Sequence, residues 1–376
     1  MSSSDIHNSS TPESVIAEED TLGWDAIDQA LEKVYGDQQP AHYGTIIKFR
    51  LGGEDPLDGI SVYRSDEGVP HWHYVTYGFS DLYGDLDDSR DIAPDKPSGY
   101  GFELTFRLAR AADEQEPPSW PLNFLQNIAR YVFRTGNVFA PGHWMTANGP
   151  IAAGTDSLLT EMGFVEDPQL APVHTPFGDL MFLQLVALTA DELREVRRWN
   201  VQGALQAMQV HMPLWVADLK RASLHALPDV QAAIDAGAAS DGSKTGVLYN
   251  DVLSFEERKR MLRSAQTVIR LGTLAVRDLK AMLPARLPHG RSLILAGDGA
   301  TLEFTHANGG LGGQLQRESE HELQLSLTDS QMQAWVNTLK AREGEYTVPG
   351  LDGLVWQVKT SIIKDSEGRV TGKYEE

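Results

Sequence analysis

The chain has 376 residues, 41% of them apolar and 23% charged, no cysteine, and a formal net charge of −21. The length suffices for two or three domains, and the missing cysteines exclude disulfides, cysteine nucleophiles and thiolate zinc sites. The acidic balance argues against a nucleic-acid partner, because phosphate neutralisation needs a basic surface. It favours a basic protein partner, which gains on-rate from the acidic field. No apolar run approaches the roughly 18–20 residues that span a bilayer, so no membrane partner is expected. Residues 1–20 are rich in Ser, Thr, Asp and Glu without an apolar h-region and read as a disordered tail, which makes the cytoplasm the expected location.

In chain order, Trp24, Ile27, Leu31, Val34 and Tyr35 recur at helical spacing over 23–35. Strands are predicted at 44–51, 60–64 and 71–79, and a solvated acidic loop at 81–95. Over 100–110, Phe102, Leu104, Phe106 and Leu108 alternate as one face of a half-buried strand. Ser119 is placed to cap a helix over 120–134, with Pro121 in its first turn. The apolar run 178–188 reads as a strand buried on both faces. Thr189 and Glu192 form a capping box for the next helix, and Trp199-Asn200 breaks it before a further helical piece to Met208. A short strand is predicted at 214–219. The Ala- and Gly-rich stretch 230–244 is the best internal boundary. Beyond it come a strand at 246–250, a mostly helical pattern over 255–283 in which 266–271 can also be extended, and a hairpin around Gly297-Asp298-Gly299. A strand at 321–327, a Thr328-capped helix to Lys340 and a strand at 354–363 complete a mixed α+β pattern without βαβ regularity.

Arg194, Arg197 and Arg198 cluster on helical-looking sequence, as do Arg258, Lys259, Arg260 and Arg263, and solvated charged faces are expected for both. His71 and His73, two apart on a strand, share a face and could ligate a metal if a third donor joined them. The other reading is aromatic strand packing with hydrogen-bonded imidazoles. The Gly-rich run 308–313 lacks the Lys-Ser/Thr of a phosphate loop, and no nucleophile elbow, zincin helix or dinucleotide fingerprint occurs. Short separate strands leave sheet edges that a peptide could complete by strand addition, unless charge or a loop covers them.

Several long motifs resemble the suppressor-of-fused family. They include Gly-Trp-Asp-Ala-Ile-Asp at 23–28, Leu-Gly-Gly-Glu-Asp-Pro-Leu-Asp at 51–58, and the aromatic stretch 70–85 with 98–108. Pro-Ser-Trp-Pro at 118–121, Ala-Arg-Tyr-Val-Phe at 129–133, Glu-Asp-Pro-Gln at 166–169 and Thr-Pro-Phe-Gly at 175–178 follow. Trp-Asn-Val-Gln-Gly at 199–203 and Asp-Gly-Ser at 241–243 continue the pattern, and 287–291 and 323–339 are similar but less specific. The resemblance implies two α+β domains, 21–243 and 244–366, flanked by tails 1–20 and 367–376, with a peptide-binding cleft between them that holds a partner segment as an added β-strand. In animals that partner is a Gli-type transcription factor of the Hedgehog pathway. Carried over by motif, Tyr131 is a contact candidate, 137–144 the first-domain edge strand, and Val247 and Tyr249 lie on the second-domain edge strand. His143 stands where animal members carry an aspartate, and their long disordered insert is missing. The compact form looks bacterial, and bacterial relatives include toxin-neutralising immunity proteins. The expected protein is therefore a non-enzymatic, cofactor-free binder of a toxin or regulatory protein. The second expectation is a metal-dependent hydrolase built on His71 and His73.

Overall fold

The computed structural model describes residues 21–47, 49–83, 96–250, 252–260, 263–307, 309, 312–364 and 369–374. The helices are α1 (Leu22–Tyr35), α2 (Trp120–Thr135), α3 (Ala190–Arg198), α4 (Val201–Met208), α5 (Pro228–Asp241), α6 (Thr273–Arg286) and α7 (Asp329–Thr338). The strands begin with β1 (Ala41–Gly44), β2 (Gly59–Ser65), β3 (His71–Tyr77), β4 (Pro97–Ala109), β5 (Trp144–Thr146), β6 (Leu159–Glu166), β7 (Val173–Thr175), β8 (Gly178–Thr189) and β9 (Val247–Tyr249). They continue with β10 (Ser254–Arg260), β11 (Arg263–Gly272), β12 (Leu293–Ala296), β13 (Thr301–His306), β14 (Gln314–Arg317) and β15 (Glu322–Leu327). The last are β16 (Gly344–Tyr346), β17 (Leu354–Lys359), β18 (Ser361–Lys364) and β19 (Val370–Tyr374). The chain forms two compact units, 1–138 with 166–184, and 139–165 with 185–376. No helix of the described residues is long and apolar enough to cross a membrane.

In the first unit, β1, β2, β3 and β4 form antiparallel neighbours, β8 follows β4, and β7 pairs with β8. Helix α1 buries Ile27, Ala30 and Leu31 against Tyr63, Val75, Tyr77 and Phe182. Helix α2 buries Phe124, Leu125, Ile128, Ala129 and Val132. Ser119 precedes it without a side-chain cap bond. The predicted half-buried strand is buried on both faces: Phe102, Leu104, Phe106 and Leu108 alternate with fully buried Glu103, Thr105 and Arg107. These polar residues survive burial because each finds partners. Glu103 accepts from Thr76 Oγ1 (2.7 Å), Gly78 N (2.9 Å), Ser80 N (2.9 Å) and Ser80 Oγ (2.6 Å). Arg107 grips Asp167 in a bidentate pair at 2.7 and 3.0 Å and reaches Gln169 at 2.8 Å. The strand expected at 44–51 is instead β1, followed by a single 3₁₀ turn at Phe49–Leu51. Of the acidic loop 81–95, residues 84–95 lie outside the described residues.

In the second unit, the later part of β8 is followed by β6 and β5. Helices α3, α4 and α5 cover them with Leu193, Val196, Val201, Leu205, Met208, Val230 and Ile234. A five-stranded sheet runs in the order β14, β15, β13, β12, β9, and a four-stranded one in the order β10, β11, β17, β16. Both bury a core with α6 and α7, where Trp335 and Trp356 meet edge to face at 5.5 Å. The capping boxes at Thr189 and Thr328 form with both reciprocal bonds. The hairpin joins Ala296 to Thr301. Two expectations are overturned, the strand at 214–219 and the helix over the first part of 255–283. The predicted strand at 214–219 is a 3₁₀ turn, Pro213–Trp215, in which Leu214 has φ 54°. The Ala- and Gly-rich stretch 230–244 folds largely as α5. The helical pattern over 255–283 holds from Thr273, as α6; before it lies the hairpin β10–β11, in which 266–271 takes the extended alternative because parallel pairing with β17 buries Val268, Ile269 and Leu271. Within the predicted charged tail, β19 pairs with β18.

Candidate binding site

β9 is the end strand of its sheet, and its residues alternate: Leu248 is 3% exposed, whereas Val247 is 40% and Tyr249 86% exposed. Its single described neighbour is β12, in parallel register. Ile294 N donates to Gly246 O at 2.9 Å, and Asn250 N donates to Ala296 O at 2.8 Å. In a parallel ladder alternate residues turn their backbone groups to the same neighbour. Residues 246, 248 and 250 therefore serve β12, and Val247 and Tyr249 present N–H and C=O to the other side. Among the described residues no strand pairs there.

β5 is the last strand of the path β8, β6, β5, pairing Trp144, Met145 and Thr146 with Gly163, Met162 and Glu161. Phe164 N donates to His143 O at 3.0 Å and Ala147 N to Thr160 O at 2.9 Å, so the odd-numbered residues serve β6 and Trp144 and Thr146 face outward. The strand meets the predicted 137–144 only at Trp144, and 137–143 is not strand. His143 N turns back to Ala140 O at 3.0 Å, and Gly142 N takes Phe164 O at 2.8 Å, a bulge-like step that ends the pairing. The exposed His143 thus stands immediately before the edge.

One joint anchors both edges. The Arg197 guanidinium lies 5.0 Å from the Trp144 ring centroid. The Arg197 carbonyl accepts from Ser243 Oγ at 2.5 Å, and that oxygen accepts from Thr245 N at 3.0 Å, two residues before β9. Ser243 is fully buried, and its remaining groups are also satisfied: N–H to Ala285 O at 2.7 Å, and C=O from Arg286 Nη1 at 2.8 Å and Arg291 Nη1 at 2.9 Å. Trp199 donates Nε1 to Asp241 Oδ2 at 2.9 Å and accepts Lys244 N on its carbonyl at 2.8 Å. A Cβ at Gly203 or Gly237 would lie 2.4 or 2.2 Å from the Trp199 ring, so both positions need glycine for close approach. Asn200 Oδ1 caps α4 on Gly203 N at 2.8 Å. The Trp-Asn-Val-Gln-Gly and Asp-Gly-Ser motifs are thereby accounted for as one joint. Sequence reasoning missed Trp144 and Arg197 as its members, although those two motifs pointed to the place.

The structure brings His143, Val247 and Tyr249 into one unit. Tyr131 belongs to the other, on α2, where its hydroxyl accepts from Asn137 Nδ2 at 2.9 Å. His71 and His73 do share a buried face, but not as a metal pair. His71 Nδ1 donates to Val69 O at 2.7 Å, and His73 Nδ1 accepts from Tyr35 OH at 2.7 Å. His73 Nε2 stands 3.4 Å from Asp167, which is already committed to Arg107. Burial lowers both imidazole pKa values, with the nearby Arg107 charge adding to it, and His73 falls to about 4. The nearby Arg107 charge also disfavours a further cation beside these imidazoles. Among the described residues no group of three or more His, Asp or Glu is arranged to hold a metal, and the hydrolase expectation has no geometric support.

Comparison with known proteins agrees with this architecture. The family model for suppressor of fused protein (SUFU) matches residues 53–222. The human and mouse suppressor of fused homologues are each 40% identical over 233 residues, covering 59% of this chain and 48% of theirs. The chain solved in the Sufu–Fu complex is 35% identical, covers 57% of this chain and 98% of that chain, and superposes with a TM-score of 0.53. The chain belongs to the suppressor of fused family. Drosophila Suppressor of Fused shares the fold over 93% of this chain and 99% of its own, with a TM-score of 0.71 at 24% identity. This suppressor of fused chain spans about half the length of the curated relatives it matches.

Proposed function

We propose that this chain is a non-enzymatic regulator that sequesters a partner protein by taking one of its extended segments as an added β-strand. The observation that carries the reading is the β9 edge, where Val247 and Tyr249 offer backbone donors and acceptors on an open side. Main-chain bonds supply affinity in such a mode and side-chain contacts supply selection. The β5 edge, tied to the same joint, is the second wall. In the expected domain division β5 belongs to 21–243 and β9 to 244–366, so a segment held by both edges is clamped by both domains. His143, immediately before β5, and Tyr131 on α2 are the further contact candidates. A relative solved as a Sufu–Fu complex supports protein capture as the family's kind of activity. The partner carries basic character to match the −21 charge. In its finer form the proposal makes it a cytoplasmic toxin or regulatory protein held inactive, the former an immunity role.

The test starts from affinity purification out of the native host and identification of the retained protein, followed by binding titration. Val247→Pro removes an outward N–H and leaves the β9–β12 bonds in place. It is expected to weaken capture about tenfold to a hundredfold, from one lost hydrogen bond and an unsatisfied partner carbonyl, with unchanged circular dichroism. Wild-type affinity in a folded Val247→Pro, Tyr249→Pro double variant would sink the proposal.

A further inference from the structure

The arginines expected on a solvated helix face, of which Arg194 is exposed, also line a cavity. Arg194, Arg197 and Arg198 of α3 converge with Arg277 of α6 around a space of about 100 Å³, with Glu195 and Asp278 as the carboxylates in its wall. Four arginines thus line the space beside two carboxylates in a chain whose overall charge is strongly negative. Asp278 is shared, accepting from Arg197 Nη1 at 3.1 Å and Arg277 Nε at 2.8 Å. Arg198 takes Glu195, and Asp235 from outside the cavity at 3.0 Å. Arg194 is exposed, and among the described residues no carboxylate pairs with it. Arg197 Nε is buried without an acceptor. The other nearby acid, Glu161, feels the charges of Arg197 and Arg277, while burial holds its carboxyl above the usual range.

We propose that this cavity is an oxyanion site that takes a single carboxylate or phosphoryl group. Guanidiniums match the planar and tetrahedral faces of such groups with paired donors. Drug-sized pockets run from about 300 Å³ upward, so this one admits an anionic head and excludes a nucleotide. The negative charge elsewhere does not defeat it, because fields between exposed charges are screened beyond about 8 Å at physiological salt. Arg197 also lies on the Trp144 ring at the β5 edge. The cavity therefore reads an acidic or phosphorylated residue of a strand added there. That consequence rests on the capture reading, whereas the site itself does not.

The experiment titrates the full chain with inorganic phosphate at constant ionic strength, following ³¹P line width and the thermal midpoint. Saturable binding is expected, weakened about tenfold or more in Arg194→Gln and in Arg277→Gln. Arg194 is exposed, so its variant keeps the fold. N-acetyl-phosphoserine amide and N-acetyl-aspartate amide form the other arms. The tightest of the three ligands assigns the occupant to a free ion, a polypeptide phosphoryl group or a carboxylate. Val247→Pro should bind phosphate as the wild type does, which separates this site from failure of strand capture. A non-saturable response, or equal binding in the wild type and both arginine variants, overturns the proposal.

Discussion

Asp167→Asn tests whether the polar interior of the first unit is held as argued. The Asp167 side chain has no solvent exposure and accepts five donors: Arg107 Nη1 at 2.7 Å, Arg107 Nη2 at 3.0 Å, Thr105 Oγ1 at 2.7 Å, Gln169 N at 2.9 Å and Leu170 N at 3.2 Å. Burial alone would raise its pKa, but the contact with His73 and the Arg107 charge outweigh that and hold it well below the usual carboxylate range. Asparagine keeps the shape, removes the charge and turns one acceptor into a donor. It leaves the fully buried Arg107 uncompensated, which costs about 3–5 kcal/mol, a large part of the 5–15 kcal/mol typical of a domain. Urea unfolding followed by far-ultraviolet circular dichroism measures the loss. Adding Arg107→Met should recover at least about 2 kcal/mol, because removing both charges is far milder than orphaning one. A loss under about 1 kcal/mol for the single variant, or simple additivity in the double, would refute the reasoning.

Two buried groups should oppose each other in pH. His73 titrates at about 4 in the fold against 6.5 for the free side chain, so between those values the unfolded chain binds more protons and stability rises with pH. Glu103 is raised by burial from 4.5 to about 7, so its contribution is full below about 4.5 and is lost as pH rises toward 7. Wild-type urea midpoints are expected to stay nearly flat between about pH 4.5 and 6.5. Glu103→Gln should rise by about 3 kcal/mol over that window and His73→Gln should fall by a similar amount; three parallel profiles would contradict this. Gly237→Ala places a methyl 2.2 Å from the Trp199 ring. Despite alanine's better helix propensity, overpacking should cost about 1–3 kcal/mol, read as a lowered thermal midpoint, and a raised midpoint would mean that Trp199 is not wedged.

What was legible in the sequence is what depends on neighbours along the chain. The capping boxes at Thr189 and Thr328, the Ala296–Thr301 hairpin, the long helices α1 and α2, and the doubly buried β8 all follow from local chemistry. The edge strand carrying Val247 and Tyr249 was placed by its motif, and its open side follows once β12 is known to take the even-numbered residues. The failures share one cause, which is that a distant partner decides. The stretch holding Glu257, Arg258 and Lys259 has a helical charge pattern, yet β11 and β17 pull it into a sheet. The polar face of β4 could not be seen as interior, because Glu103 needs Thr76, Gly78 and Ser80 and Arg107 needs Asp167, some 60 residues away. The cavity beside the α3 arginines could not be seen for the same reason: Arg277, which lines it with them, lies about eighty residues further on. The joint is built by such distant partners, so only the Trp199-Asn200 and Asp241-Gly242-Ser243 motifs pointed to it in the sequence. The geometry supplies the physical account. Trp199 can sit between Gly203 and Gly237 only because both lack a Cβ, and the joint around it reaches the start of β5 through Arg197 on Trp144 and the approach to β9 through Ser243 and Thr245.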